Sequence, residues 1–186
     1  MKYLTRDEIQ RLLVRIDNKR DKLLVQLGLV LGCRVSEVVN IRLKNVLPDR
    51  IILWDEKKNV FREAVVDNDT KMLIDEYLRT EWKPKPHRPH QVFYFSCKSA
   101  NRIIKRWFAE AGIPKEKGHW HTLRHTYCVQ SLESGMPLNY ICEQTGDSPA
   151  TVIKVYGKPS IDARLKMIDE KAYWRAEKSE SHDDEH

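Results

Sequence analysis

Helix-breaking residues divide the stretch from His121 to Tyr156 into short segments, and this division constrains the fold more than any other feature of the sequence. Gly135 and Pro137 separate the first helical pattern from the second, because glycine commonly ends a helix and proline commonly begins one. A Gly-Asp-Ser-Pro turn then leads into Pro149, where a third helical pattern starts. The sequence therefore predicts three short helices joined by tight turns, with Tyr156 at the exit of the last one.

Apolar periodicity predicts further helices on both sides of this stretch. A capping-box pattern at Thr5–Glu8 begins an amphipathic helix that is expected to cover residues 6–17. The run from Leu23 to Leu31 is apolar on almost every face, so it is expected to form the central core helix and to end at Gly32. The other expected helices are one capped by Thr70 with Met72, Leu73, Tyr77 and Leu78 on its inner side, one from Ser99 to Ala111, and a last one with Ile161, Leu165 and Ile168 in one stripe.

Two β-rich runs, residues 51–54 and 60–66, predict a hairpin. The expected fold class is therefore mainly α-helical with a small antiparallel β-sheet, an α+β fold. One domain is expected over residues 1–176. Residues 177–186 form an acidic tail whose polar composition predicts disorder.

The charge of the chain favours a polyanionic partner. It carries 33 lysines and arginines against 27 acidic residues, and the acidic tail leaves the body more basic than the whole. The four cysteines form no C-x-x-C pair, which predicts buried free thiols in a reducing compartment. No signal peptide opens the chain, and no apolar run approaches the roughly 20 residues of a membrane helix. We therefore expect a cytoplasmic protein with no membrane partner.

His121 and Arg124 are the first candidates for chemistry. Residues three apart share one face of a helix, so both side chains can point at one small anion such as phosphate. Taken singly, each residue is more typical of structure, Arg124 as a surface cation and His121 as a residue at a helix start. A zinc site is the other possibility, since His119 and His125 lie close in sequence, but the Glu of H-E-x-x-H is absent, so no metal is expected.

Arg34 and Glu37 form a second candidate pair, directly after the core helix. An arginine at a helix start that is backed by a carboxylate can be held in one orientation and give two parallel hydrogen bonds to phosphate oxygens. The alternative is an ordinary surface ion pair worth a few tenths of a kcal/mol.

The order of these residues resembles the signature of the tyrosine recombinases, the phage integrase family. His121 and Arg124 match its His-x-x-Arg helix, and Arg34 matches the arginine of its Gly-x-Arg-x-Ser-Glu segment. Tyr156 follows Asp147 by nine positions, which is the spacing between the family's turn and its nucleophilic tyrosine. The chain departs from the family at Asp147, where the pattern has a histidine.

The resemblance covers nearly the whole chain from Leu4 to about Ser160, and it implies a mechanism. Tyr156 would attack a DNA phosphodiester and form a 3′-phosphotyrosyl link, with no metal or nucleotide cofactor. Arg34 and Arg124 would stabilise charge on the phosphate oxygens, Lys57 would protonate the leaving 5′-oxygen, and His121 would assist proton transfer at the nucleophile.

The resemblance also implies the supporting residues. Glu37 would brace Arg34. The family's pattern places the catalytic lysine five residues before the arginine of the second strand, here Arg62, which gives Lys57, with Lys58 as the alternative.

Asp147 is expected to support the site without touching the phosphate. An ionised aspartate only accepts hydrogen bonds, and its charge would repel the phosphate. We therefore expect Asp147 to brace Arg124 or to cap the helix at Pro149.

The implied partner is double-stranded DNA, bound by an oligomer, a tetramer during recombination, near the nucleoid or the DNA of a virus or mobile element. Basic residues expected on DNA are Lys58, Arg102, Lys105, Arg106 and Lys154. The residues that carry the resemblance match the family's catalytic domain and not its N-terminal clamp domain. Two alternatives remain: a type IB topoisomerase, which would use the same five residues to relax supercoiled DNA, and a non-catalytic DNA-binding module, which would keep the basic face but form no covalent adduct.

Overall fold

The computed structural model describes residues 3–156 and 161–170. Within these ranges the chain forms nine α-helices and one two-stranded antiparallel sheet, which confirms the predicted fold class. The elements are α1 (Arg6–Arg15), α2 (Lys19–Leu31), α3 (Val35–Val39), β1 (Arg50–Asp55), β2 (Val60–Val65), α4 (Asn68–Thr80), α5 (Cys97–Glu110), α6 (Trp120–Glu133), α7 (Leu138–Thr145), α8 (Pro149–Tyr156) and α9 (Ile161–Glu170).

Helix α2 is the centre of the core, as its apolar sequence predicted. Leu23, Leu24 and Leu31 are fully buried, and the helix packs against α4 and α6. It ends at Gly32, whose φ of 53° lies in the left-handed region. A Cβ atom at this position would lie 2.4 Å from the Tyr127 ring, so both backbone conformation and space require glycine.

The hairpin presents its inner face to the core and its tip to the turn after α7. Strands β1 and β2 pair with Leu53 opposite Arg62 and Asp55 opposite Val60. Asn59 closes the turn with a φ of 56°, a conformation that asparagine tolerates better than most residues. Because β2 packs against α7, residues of the hairpin tip lie close to the α7–α8 turn.

Three helices differ in detail from the expectations. The first helix ends at Arg15, two residues earlier than expected. Helix α4 is capped by Asp67, whose side chain accepts a 2.7 Å hydrogen bond from the backbone N of Thr70. Its buried face contains Thr70, Ile74 and Tyr77, so Met72 falls outside that face and is 70% exposed. Capping by Ser96 starts α5 at Cys97, two residues before the predicted position.

All four cysteines are free, but only Cys33 and Cys128 are buried, while Cys97 and Cys142 are half-buried.

Helix α9 forms where the apolar stripe predicted it, and its residues Ile161, Leu165 and Ile168 are exposed. The acidic tail lies outside the described residues. None of the described helices is long and apolar enough to cross a membrane.

Candidate active site

An open cleft of about 480 Å³ brings the sequence-predicted residues together. The N-terminal ends of α3 and α6, the hairpin tip and the α7–α8 turn form its walls. Its lining includes Arg34, Lys57, His121, Arg124 and Asp147. Four of the five predicted catalytic side chains therefore share one cavity. The fifth belongs to the last residue of α8, Tyr156, and that side chain lies outside the described residues.

Arg124 is buried, so its interpretation as a surface cation was wrong. Only 3% of it is exposed. Its Nη1 atom donates hydrogen bonds to the carbonyl oxygens of Gly32, at 2.7 Å, and of Thr145, at 3.0 Å. These carbonyls lie at the C-terminal ends of α2 and α7, where the helix dipoles favour a cation. The core helix and α7 therefore both hold the guanidinium at the base of the cleft.

Arg34 reaches the same place from the N-cap of α3. Its Nη1 atom donates a 2.9 Å hydrogen bond to Asp55 Oδ2, whereas Glu37 Oε1 lies 3.6 Å away. The loop before Arg34 is fixed to α6, because Trp120 Nε1 donates to the carbonyl oxygen of Cys33 at 2.9 Å. Asp55, and only secondarily Glu37, therefore orients the Arg34 guanidinium.

Glu37 binds mainly Arg62, a pairing that sequence reasoning missed. Arg62 donates from Nε to Oε1 at 3.2 Å and from Nη2 to Oε2 at 3.0 Å, and the Glu37 side chain is 1% exposed. Glu37 also accepts a 2.6 Å hydrogen bond from the backbone N of Arg34. It therefore fixes the backbone of Arg34 and ties β2 to α3, while its contact with the Arg34 guanidinium, the brace that the resemblance implied, is longer at 3.6 Å.

Asp55 is the site carboxylate that sequence reasoning did not identify. Its Oδ1 atom accepts from the backbone N atoms of Lys57, at 3.1 Å, and Lys58, at 3.2 Å. Burial would raise the pKa of Asp55, but the hydrogen bond and charge of Arg34 outweigh it and hold that pKa below its ordinary value. An aspartate at the start of a turn was the available signal, because such residues commonly bond the backbone two residues on.

The structure separates the two hairpin lysines. Lys57 lines the cleft, whereas Lys58 Nζ donates a 2.6 Å hydrogen bond to the carbonyl oxygen of Gly146. Both side chains are exposed. The contacts favour Lys57 as the lysine that faces a cleft-bound group.

Asp147 contacts Arg124, as one of the two expectations stated. Its Oδ2 atom lies 2.5 Å from Arg124 Nη2, and its Oδ1 atom lies 3.4 Å from Arg34 Nη2. The other expectation, a cap on α8, was wrong. Ser148 Oγ occupies that position and accepts a 3.2 Å hydrogen bond from the backbone N of Thr151.

The histidines lie at the start of α6. His121 is exposed and lines the cleft, with its ring centroid 5.3 Å from that of His125. His119 is the N-cap residue, and its Nδ1 atom lies 3.4 Å from Thr122 Oγ1. Among the described residues, no group of three or more His, Cys, Asp or Glu side chains is arranged to hold a metal ion.

The basic residues expected on DNA divide into two sets. Arg102 and Lys105 on α5 and Lys154 on α8 are exposed. Arg106 is also exposed, as expected, with 53% of its side chain accessible, but its Nη2 atom pairs with Asp21 Oδ2 at 2.9 Å and its guanidinium carbon lies 4.4 Å from the centroid of the Trp107 ring. Arg106 therefore ties α5 to α2.

Comparisons with known proteins agree on one family. The model of the phage integrase family matches residues 2–160. The tyrosine recombinase XerA of Thermococcus kodakarensis is 31% identical over 181 residues, which cover 92% of this chain and 62% of that protein. The first archaeal relatives are matched over 56% to 62% of their own length, so the chain spans little more than half of them.

Solved structures show the same fold. The crystal structure of XerA recombinase superposes with a TM-score of 0.75 at 24% identity, covering 90% of this chain and 62% of that one. The XerH recombinase in a pre-cleavage complex with its difH substrate gives a TM-score of 0.71 at 19% identity, covering 94% of this chain and 55% of that one.

Proposed function

The chain belongs to the phage integrase family, the tyrosine recombinases, and on that premise we propose that it is the catalytic domain of a site-specific DNA recombinase or integrase. One observation carries the proposal. Arg34 and Arg124, which lie 90 positions apart in the sequence, both contact the carboxylate of Asp147 and thus converge on one small anion. Two guanidinium groups that converge in this way suit a phosphodiester.

The reaction assigned to the cleft is strand transfer through tyrosine. The Tyr156 hydroxyl attacks the scissile phosphorus as the P–O5′ bond breaks, and His121 assists removal of the phenolic proton. Lys57 gives a proton to the departing 5′-oxygen, while Arg34 and Arg124 stabilise charge on the non-bridging oxygens. The 5′-hydroxyl of another strand then attacks the phosphotyrosine, which reverses the chemistry and rejoins DNA.

The proposed partner is double-stranded DNA, and the proposed assembly is a tetramer during recombination. The exposed basic residues Arg102, Lys105 and Lys154 support DNA binding, because lysine and arginine contacts to phosphates dominate such interfaces. The exposed stripe of Ile161, Leu165 and Ile168 on α9 supports assembly, since an apolar helix face favours burial against another surface. XerH, a structural neighbour, has been solved as a site-specific recombinase bound to its difH substrate.

A covalent trap tests the proposal. A library of nicked duplexes with randomised sequence is incubated with the chain, and the products are separated under denaturing conditions. The wild-type chain and the Tyr140→Phe control, altered at a 57% exposed tyrosine of α7, should form a protein–DNA adduct, whereas Tyr156→Phe should bind DNA without forming one.

Other outcomes identify the alternatives. Binding without any adduct by the wild-type chain would indicate a non-catalytic module. Relaxation of a supercoiled plasmid, with no joining of two sites, would indicate a topoisomerase.

A further inference from the structure

The Asp147 carboxylate lies between the two guanidinium groups of the cleft. Oδ2 is 2.5 Å from Arg124 Nη2, and Oδ1 is 3.4 Å from Arg34 Nη2. The side chain is 10% exposed. A carboxylate whose two oxygens bridge two arginines has the arrangement in which a phosphate would be held between them.

We propose that Asp147 occupies the phosphate position of the free protein, so that a DNA phosphate binds between Arg34 and Arg124 only after this carboxylate has moved away. The inference rests on the proposed function, because it takes the cleft to receive a phosphodiester. It makes Asp147 a residue that sets the affinity of the site for anions.

The other partners of the arginines support this assignment. Arg124 Nη1 is bonded to the carbonyl oxygens of Gly32 and Thr145, and Arg34 Nη1 is bonded to Asp55. In each arginine, Nη1 thus binds the protein, and Nη2 is the terminal nitrogen that contacts Asp147. A phosphate that binds across both arginines competes with the carboxylate for these two atoms.

Both arginines keep their anchors when Asp147 leaves. Arg124 remains bonded to the ends of α2 and α7, and Arg34 remains bonded to Asp55. Helix α8 keeps its cap as well, because Ser148 supplies it. The carboxylate can therefore move without dismantling the site.

Electrostatics gives the direction of the effect. A carboxylate and a phosphate within about 4 Å repel each other strongly at the edge of a protein. Replacing Asp147 by asparagine removes this charge and retains the shape of the side chain. The variant should bind inorganic phosphate roughly tenfold more tightly, or better.

Calorimetric titration with inorganic phosphate tests the inference on the whole chain. Asp147→Asn and Asp147→Ser should both bind phosphate at least about tenfold more tightly than the wild-type chain. The matched control is Asp49→Asn, which removes the same charge from a 68% exposed side chain paired with Arg50 and should change affinity less than about twofold. Adding Arg34→Ala to Asp147→Asn should abolish the gain.

Three results would overturn the inference. These are unchanged or weaker phosphate binding by folded Asp147 variants, an equal gain in Asp49→Asn, and no phosphate binding by any variant. A merely structural role for Asp147 would loosen the arginines and weaken phosphate binding, so a gain in affinity excludes that role. The measurement of phosphate affinity does not depend on DNA cleavage. If the Asp147 variants bind phosphate more tightly but the wild-type chain forms no covalent adduct, the proposed function is rejected and this inference is not.

Discussion

Lys58 Nζ donates a 2.6 Å hydrogen bond to the carbonyl oxygen of Gly146, and this contact joins the hairpin tip to the turn that carries Asp147. Gly146 has a φ of 74°, and a Cβ atom there would lie 2.8 Å from Arg62 Nε. The α7–α8 turn and the hairpin therefore approach each other closely at Gly146, where a side chain would collide with Arg62. Lys57, the next residue back, lines the cleft.

Because Lys57 lines the cleft and Lys58 binds Gly146, we expect different effects from substituting the two lysines. Lys57→Ala should slow cleavage about 10²-fold or more, because it removes the general acid for the leaving oxygen. A substrate with a 5′-sulfur leaving group needs no such acid and should restore the rate. Lys58→Ala is the control, and single-turnover cleavage should show no sulfur-specific restoration for it. Restoration of Lys58→Ala alone would move the assignment by one residue.

Loss of either arginine should slow cleavage and lower stability, because Arg34 pairs with the buried Asp55 and Arg124 pairs with Asp147. Arg34→Ala and Arg124→Ala should each slow cleavage by roughly 10²-fold or more through loss of a phosphate donor. Arg124→Ala also leaves Asp147 and two helix-end carbonyls without this partner, so it should lower the free energy of unfolding by about 3 kcal/mol. Urea denaturation and single-turnover cleavage separate the two effects. If either variant cleaves within a few-fold of the wild-type rate, the arginine that it lacks has a structural role and is not a phosphate donor.

Arg62→Ala should destabilise the fold, because it removes the ion-pair partner of the buried Glu37 carboxylate. Glu37 is 2% exposed and receives two hydrogen bonds from Arg62. We expect a loss of about 3 kcal/mol in the free energy of unfolding by urea denaturation. Arg50→Ala is the control on the same hairpin, since its carboxylate partners are exposed and should contribute less than about 1 kcal/mol. Equal losses for the two variants would contradict the prediction.

Asp55 should make stability dependent on acidic pH. Its pKa is lowered in the folded state, where burial raises the pKa but the hydrogen bond and charge of Arg34 lower it more. Its stabilising effect is therefore present above the unfolded pKa of about 4 and is lost as pH falls through the lower folded value. Asp55→Asn should be less stable than wild type near neutral pH, and urea denaturation should show the difference narrowing below about pH 4. A difference in the free energy of unfolding that stays constant with pH would contradict the assignment of this effect to the lowered pKa of Asp55.

The basic residues of α5 should separate into DNA contacts and structural pairs. Arg102→Ala and Lys105→Ala should each reduce the salt slope of DNA binding by about one unit, as for loss of one phosphate contact. Arg106→Ala should leave that slope unchanged and reduce stability, because Arg106 pairs with the buried Asp21. Fluorescence anisotropy at several salt concentrations measures the slopes. A reduced slope for Arg106→Ala would place that arginine on DNA.

Local sequence determined the elements of this protein and the identity of its family. Gly32 fixed a helix end, and Thr5 and Pro149 fixed helix starts, because caps and breakers act on backbone groups within a few residues. The apolar periods of α2 and of the hairpin likewise indicate the buried side of each element. The signature around Arg124 indicated the site through its spacing, which requires no knowledge of tertiary contacts.

Apart from the contact between Asp147 and Arg124, tertiary structure decided which charges meet. Arg34 lies 21 positions from Asp55 and 113 positions from Asp147, and Glu37 lies 25 positions from Arg62. Neither periodicity nor turn chemistry carries information over such separations. The Glu37 brace was implied by the resemblance to the family, whereas the packing of the hairpin against α7 brings two other carboxylates, Asp55 and Asp147, to Arg34. Partners in the cleft are therefore set by how the elements pack, since an ion pair depends on distance in space and not on distance along the chain.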